Sequence, residues 1–174
     1  MGIFHWIYCL DLPKAALLAA LLTVFFLVMK KFFGAHLWWK ILLGAALMLS
    51  LGAVLYTTVF RRVQSGECGV YLQPFASYRL MLENGNREIL RSNFMNALLF
   101  YPAGLLGVSL LSGKWPAWKR IVLTVALICL LSIGIETVQY LYRMGQVETD
   151  DVLHNTLGAA LGSLWGSIPF RKTK

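Results

Sequence analysis

"IETVQYLYRMGQVETDDVLHNTLGAALG" fills residues 135–162 of a chain that is otherwise mostly apolar. Within it stand Glu136, Gln139, Arg143, Asp150, Asp151 and Asn155. Read as helix, turn and helix, at about 100° per residue, it sets Glu136, Gln139, Tyr140 and Arg143, with Ser132 just before it, on one helical face. Asp151, Asn155, Gly158 and Gly162 share a face of the following helix, polar at its start and small further in. A charged side chain at bilayer depth costs roughly 2.5–3.5 kcal/mol. If lipid surrounds these helices, both faces must therefore turn toward protein.

Composition points to lipid. The 174 residues are 58% hydrophobic and 14% charged, with mean hydropathy +0.65, whereas a soluble domain carries about 25% charged residues. Five apolar runs approach the about 20 residues that cross a bilayer as helix: Ala15–Phe33, Trp38–Phe60, Asn93–Leu111, Ile121–Tyr142 and Val152–Ile168. The last is short, and Gly158, Gly162 and Gly166 weaken it as a regular helix. The expected fold is an all-α polytopic membrane bundle, a single domain with its motifs in residues 71–168. In the long connection over residues 61–92, Pro74, the Phe75–Tyr78–Leu82 spacing and the Asn84–Gly85 break predict a short interfacial or re-entrant helix from Phe75 to about Leu82. The next helix should start near Arg87. It brings a third stripe of the same design: Asn93, Asn96, Phe100, Gly104 and Gly107. Pro102 inside it should kink it.

Charge gives an expected orientation. The N-terminal side, the 61–92 connection and the turn before Asp150 share one surface, with seven basic and seven acidic residues; the opposite surface holds nine basic residues and no acidic one. Short loops carry the positive-inside signal best, so the second surface, with the C-terminus, is expected in the cytoplasm and the N-terminus outside. The net charge of +8 then reflects topology and anionic lipid rather than nucleic acid. Lys30 and Lys31 close the first run, as in a retained helix rather than a cleaved signal, and His5, Trp6 and Tyr8 fit an interfacial belt. Cys9 and Cys68 would share the oxidising side, which permits a disulfide without requiring one; Cys129 reads as packing.

Three helices thus carry polar groups at one depth, and the simplest arrangement points them at one another around a pocket open to the outer leaflet. Its expected lining is Arg91, Asn93, Asn96, Glu136, Gln139, Tyr140, Arg143, Asp150, Asp151 and Asn155. Arg143 would meet Asp150 or Asp151 across the turn, with Arg91 as another partner for Glu136. A purely structural polar clamp would use the same residue types. Asp150, Asp151, His154 and Asn155 with Glu136 contain cation donors, yet acids at a helix start also cap it and complement its dipole. No metal and no cofactor is expected.

The order of "NFMNALLFYPAGLLGVSLL" and "IGIETVQYLYRMGQVETDDVLHNTLGAALG", preceded by "YLQPFASYR", resembles the VanZ-like family of small bacterial membrane proteins. The shared pattern is an Asn-rich helix start, Glu-x-x-Gln, an Arg, Asp-Asp-x-x-x-Asn and a Gly-rich last helix, over roughly residues 71–162. The resemblance implies a place in the bacterial plasma membrane and in resistance to glycopeptides, teicoplanin above all; it implies no established reaction. Two uses of the pocket follow. As a binding site for a lipid-linked wall precursor or lipoglycopeptide antibiotic, it would hold a phosphate or carboxylate on Arg91 and Arg143. Glu136, Asp150 and Asp151 would meet amines and hydroxyls, and Tyr78, Phe100 and Tyr140 an acyl chain. As an enzyme acting on a head group, it would use Glu136 as general acid or base, Asp151 to orient water and Arg143 to stabilise charge. The chain has no His-Glu-x-x-His, Walker or Gly-x-Ser-x-Gly element. Transport would need an oligomer.

Overall fold

A computed structural model describes residues 12–62, 69–85, 88–113 and 115–169. Cys9, Cys68, His5, Trp6 and Tyr8 lie outside them. The helices are α1 (Leu12–Phe33), α2 (Leu37–Leu55, continued by a π turn over Tyr56–Phe60), α3 (Ala76–Asn84), α4 (Glu88–Leu110), α5 (Ala117–Leu141) and α6 (Thr149–Gly166). Two-residue strands β1 (Val70–Tyr71) and β2 (Val147–Glu148) pair in parallel. The architecture is an all-α membrane helical bundle. Four helices are long and apolar enough to cross a membrane: α1, α2 with its π turn, α4 and α5.

The fifth expected crossing, α6, is a regular helix of 18 residues, about 27 Å at 1.5 Å per residue. Its low average hydropathy has a structural cause. Asp150, His154, Asn155, Gly158, Gly162, Ser163 and Gly166 are buried inside the bundle, while Leu153, Leu157, Leu161, Leu164 and Trp165 face outward. A bilayer would meet only the second set.

The glycines do not weaken α6; they set its seat. A Cβ at Gly158, Gly162 or Gly166 would strike the carbonyl oxygen of Ala97, Tyr101 or Leu105 respectively, and one at Gly104 would strike that of Ala159. Steps of four on both helices mean that α4 and α6 run parallel, backbone against backbone, as small-residue motifs allow where lipid supplies no hydrophobic drive. Phe100, Ala103, Val54, Ile128, Ile135 and Ala159 form the main core around this seam. A second cluster, Phe26, Trp39, Leu43 and Leu105, joins α1 and α2 to α4. α4 continues as helix through Pro102.

Cations close the opposite end. Lys30 Nζ donates to the carbonyls of Gly166 (2.5 Å) and Ile168 (3.0 Å) at the end of α6. The buried Arg120 donates through Nη1 to the carbonyl of Val108 (3.2 Å) near the end of α4. Both occupy the negative ends of helix dipoles, where carbonyls lack intrahelical partners.

The seam makes a direct prediction. Gly158→Ala and Gly162→Ala should each destabilise the fold, by about 1–3 kcal/mol if the helices part slightly. Gly134→Ala, whose added methyl meets nothing within 4 Å, should be neutral or stabilising. Thermal unfolding of the three variants in detergent checks this; equal melting temperatures would remove the seam as a determinant.

Candidate functional site

The end of the bundle that carries α3, β1 and β2 gathers the polar residues. The short helix expected from Phe75 begins at Ala76, with Phe75 before it at φ 65°, a left-handed backbone that side chains disfavour. What holds it is Asp150. This carboxylate, 2% exposed, accepts from the backbone N–H of Phe75 (2.5 Å) and of Ser77 (2.8 Å) and from the Ser77 hydroxyl (2.5 Å). An acid from α6 thereby caps the N-terminus of α3. Asn93 Nδ2 donates to Ser77 Oγ (3.0 Å). His154 donates from Nδ1 to the Asp150 carbonyl (2.5 Å), which leaves Nε2 to accept the Tyr78 hydroxyl (2.7 Å). Asp150, Asn93, Ser77, Tyr78 and His154 therefore form a clasp that fastens the connection to α4 and α6.

Asp151 points elsewhere. Its Oδ1 accepts from Asn96 Nδ2 (2.6 Å). Glu136 Oε2 accepts from the backbone N–H of Glu148 (3.1 Å), which β1 steadies from its other side, since the Val147 N–H donates to the Gly69 carbonyl (2.9 Å). One turn deeper, Asn155 Nδ2 donates to Ser132 Oγ (2.9 Å), while the buried Asn155 Oδ1 has no partner among the described residues. Glu136, Glu148 and Asp151 lie within electrostatic reach of one another and of Arg62. Among the described residues no three His, Cys, Asp or Glu side chains converge as a metal would need.

Arg62 is the basic residue at this centre. Its Nη1 donates to Gln139 Oε1 (3.2 Å) and to the Met144 carbonyl (3.4 Å). Gln139, 1% exposed, is fixed in turn by donating from Nε2 to the Thr58 carbonyl (2.9 Å). That carbonyl lies within the π turn closing α2. Beside it a polar cavity of about 190 Å³ is lined by Thr57, Thr58, Arg61, Arg62, Asn96 and Leu99. A larger groove of about 360 Å³, between α1, α4 and α6, is apolar; the hydroxyls of its Thr23 and Tyr101 bond each other (2.7 Å). The polar and charged lining belongs to the smaller cavity.

Asn93, Asn96, Glu136, Gln139, Asp150, Asp151 and Asn155 thus meet at one end of the bundle: Asn93 and Asp150 in the clasp, Asn96, Glu136, Gln139 and Asp151 around Arg62, and Asn155 one turn deeper on Ser132. The two arginines expected with them stand apart. Arg143 is exposed in the turn after α5, at φ 52°, because the chain has left helical phase by then. Tyr140, also expected inside, is 53% exposed: at 100° per residue it lies one position past buried Gln139. Arg91 turns to Glu88 on its own helix (3.6 Å). Their place is taken by Arg62, which sequence reading counted only as a loop charge. Its one signal was position, directly after an apolar run that ends in "TTVFRR".

Glu148 is half-buried, and that burial, with Asp151 and Asp150 nearby, raises its carboxyl above the ordinary range, although Arg62 opposes this. A raised folded-state value means that the native protein holds this proton more tightly than the unfolded chain does. Its contribution is favourable below the ordinary glutamate value of 4.5 and is lost as pH rises through the raised one. Glu148→Gln should therefore raise the melting temperature at pH 8 relative to the parent, with the gap closing on acidification. Parallel melting curves at all pH values would contradict this.

No curated protein and no solved structure matches the chain. One family model does, over residues 46–168. The match runs from the middle of α2 to the end of α6, so it contains the seam, the clasp and the cavity, and leaves α1 outside. The chain belongs to the VanZ/LLP1 family.

Proposed function

We propose that this is a plasma-membrane protein of the bacterial envelope that binds the head of an amphipathic or lipid-linked ligand at the outer leaflet. Such binding would serve tolerance of lipoglycopeptides such as teicoplanin, or adaptation of the wall. The observation that carries the reading is the Arg62–Gln139–Thr58 chain beside a polar cavity that Asn96 also lines, with Asp151 bonded to Asn96 and Glu136 within electrostatic reach of Arg62. Intramembrane ionisable groups mark functional sites by default, and family membership supplies the envelope context. The cavity is sized for a head group and not for a whole antibiotic, so the rest of the ligand would remain in the lipid.

Catalysis on a head group is the second reading. In its favour, Glu136 and Asp151 each have one carboxylate oxygen outside the protein hydrogen bonds described above. Against it, the third member of the expected trio, Arg143, is exposed in its turn. Incubating purified protein with labelled wall-lipid precursors separates the two by mass spectrometry. A new product mass that disappears in Glu136→Gln would favour the enzyme.

Glu136→Gln and Arg62→Ala, expressed at matched levels, should return teicoplanin susceptibility toward that of cells lacking the protein and change vancomycin susceptibility less. Unchanged susceptibility in both variants would reduce the cluster to scaffold.

The outer location has its own test. In a chain with Cys9, Cys68 and Cys129 replaced, Glu83→Cys on exposed α3 should react with an impermeant maleimide on intact cells. Gly113→Cys, in the exposed turn between α4 and α5, should react only after lysis. The reverse pattern would move the site to the cytoplasmic leaflet.

A further inference from the structure

We infer that Arg62 is the ligand-gripping group of the cavity, and that its free guanidinium edge takes the phosphate or carboxylate oxygens of a lipid-borne head group. This rests on the binding function proposed above and specifies its chemistry.

The geometry separates the two edges of the guanidinium. Nη1 is committed to Gln139 Oε1 and the Met144 carbonyl. Nε and Nη2 make no hydrogen bond among the described residues, and neither is a buried, unpartnered atom. Those two positions carry the parallel N–H pair that matches an oxyanion bidentately. Because Gln139 is buried and tied to the Thr58 carbonyl, the planar group is held before any ligand arrives, which lowers the ordering cost of binding.

The rest of the lining offers an anion few other donors. The Thr57 and Thr58 hydroxyls donate back into their own helix, to the carbonyls of Ala53 (2.8 Å) and Val54 (2.7 Å). Asn96 Nδ2 gives one of its two N–H groups to Asp151. The charged side chains lining the cavity are Arg61 and Arg62. Glu136, Glu148 and Asp151 lie within electrostatic reach of Arg62, so the cavity presents no strong net positive charge and a bare anion from solution binds weakly. An anion carried on a lipid tail is presented at high local concentration, as any tethered ligand is. That difference selects the lipid-borne source over free phosphate.

Purified protein in detergent, titrated with phosphatidylglycerol, phosphatidic acid, phosphatidylcholine or inorganic phosphate and followed by microscale thermophoresis, tests the assignment. The parent should prefer the two anionic lipids, with phosphate alone binding much more weakly. Arg62→Gln should weaken anionic-lipid binding about tenfold or more, the loss expected for a charge-assisted hydrogen bond. Arg62→Lys, which keeps the charge and lacks the fork, should fall between them. Arg79→Gln, on the exposed Arg79–Glu83 pair, should bind as the parent does. Should Arg62→Gln fail to fold, Arg62→Lys decides alone, and parental affinity in it overturns the bidentate grip. Equal binding of phosphatidylcholine, or undiminished binding by Arg62→Gln, overturns the anion assignment. Inorganic phosphate binding as tightly as the lipids overturns the lipid source. None of these results touches the susceptibility comparison, which judges the broader function whatever head group is bound.

Discussion

Close contact between the backbones of α4 and α6 governs the arrangement of everything else. Gly158, Gly162 and Gly166 rest on the carbonyls of Ala97, Tyr101 and Leu105, which fixes the register of two parallel helices. That register sets Asp151 opposite Asn96 and brings Asp150 over Ser77 and Asn93. A slip of one residue would rotate α6 by about 100° and carry its acids away from both partners. The cost of bringing carboxylates into an apolar bundle is met only in the matched register, where each finds donors. Packing and chemistry are therefore one constraint in this protein.

Around that seam, polar groups satisfy helix ends as often as they form a site. Asp150 closes the start of α3, Gln139 takes a carbonyl at the end of α2, and Lys30 and Arg120 bind the ends of α6 and α4. For Lys30 and Arg120 this alters the meaning of the charge count. They were counted as surface cations reporting topology, and each also has a structural task inside the bundle.

The helices were legible in the sequence because a bilayer demands long apolar runs, and the three stripes were legible because helical period places Glu136 with Gln139 and Asp151 with Asn155. α3 was foreseen within a residue or two from Pro74 and the Asn84–Gly85 break. Three features had no such signal. Strands of two residues, as in β1 and β2, display no periodicity. The direction of Arg62 depends on the π turn, an irregularity that an average helical phase cannot anticipate. The separation of neighbouring Asp150 and Asp151 onto different partners follows from their about 100° difference in direction and becomes visible only when α3 and α4 are both in place.

Phe75 carries a consequence for how the molecule is built. Its left-handed backbone costs on the order of 1 kcal/mol or more, and its N–H bonds to a residue 75 positions further along. The neighbouring β1 likewise waits for Val147 and Glu148. During synthesis the contacts that hold Phe75 and β1 can form only once β2 and the start of α6 are present. The layer of α3, β1 and β2 is thus completed last, and a chain interrupted before α6 would lack the partners that close it.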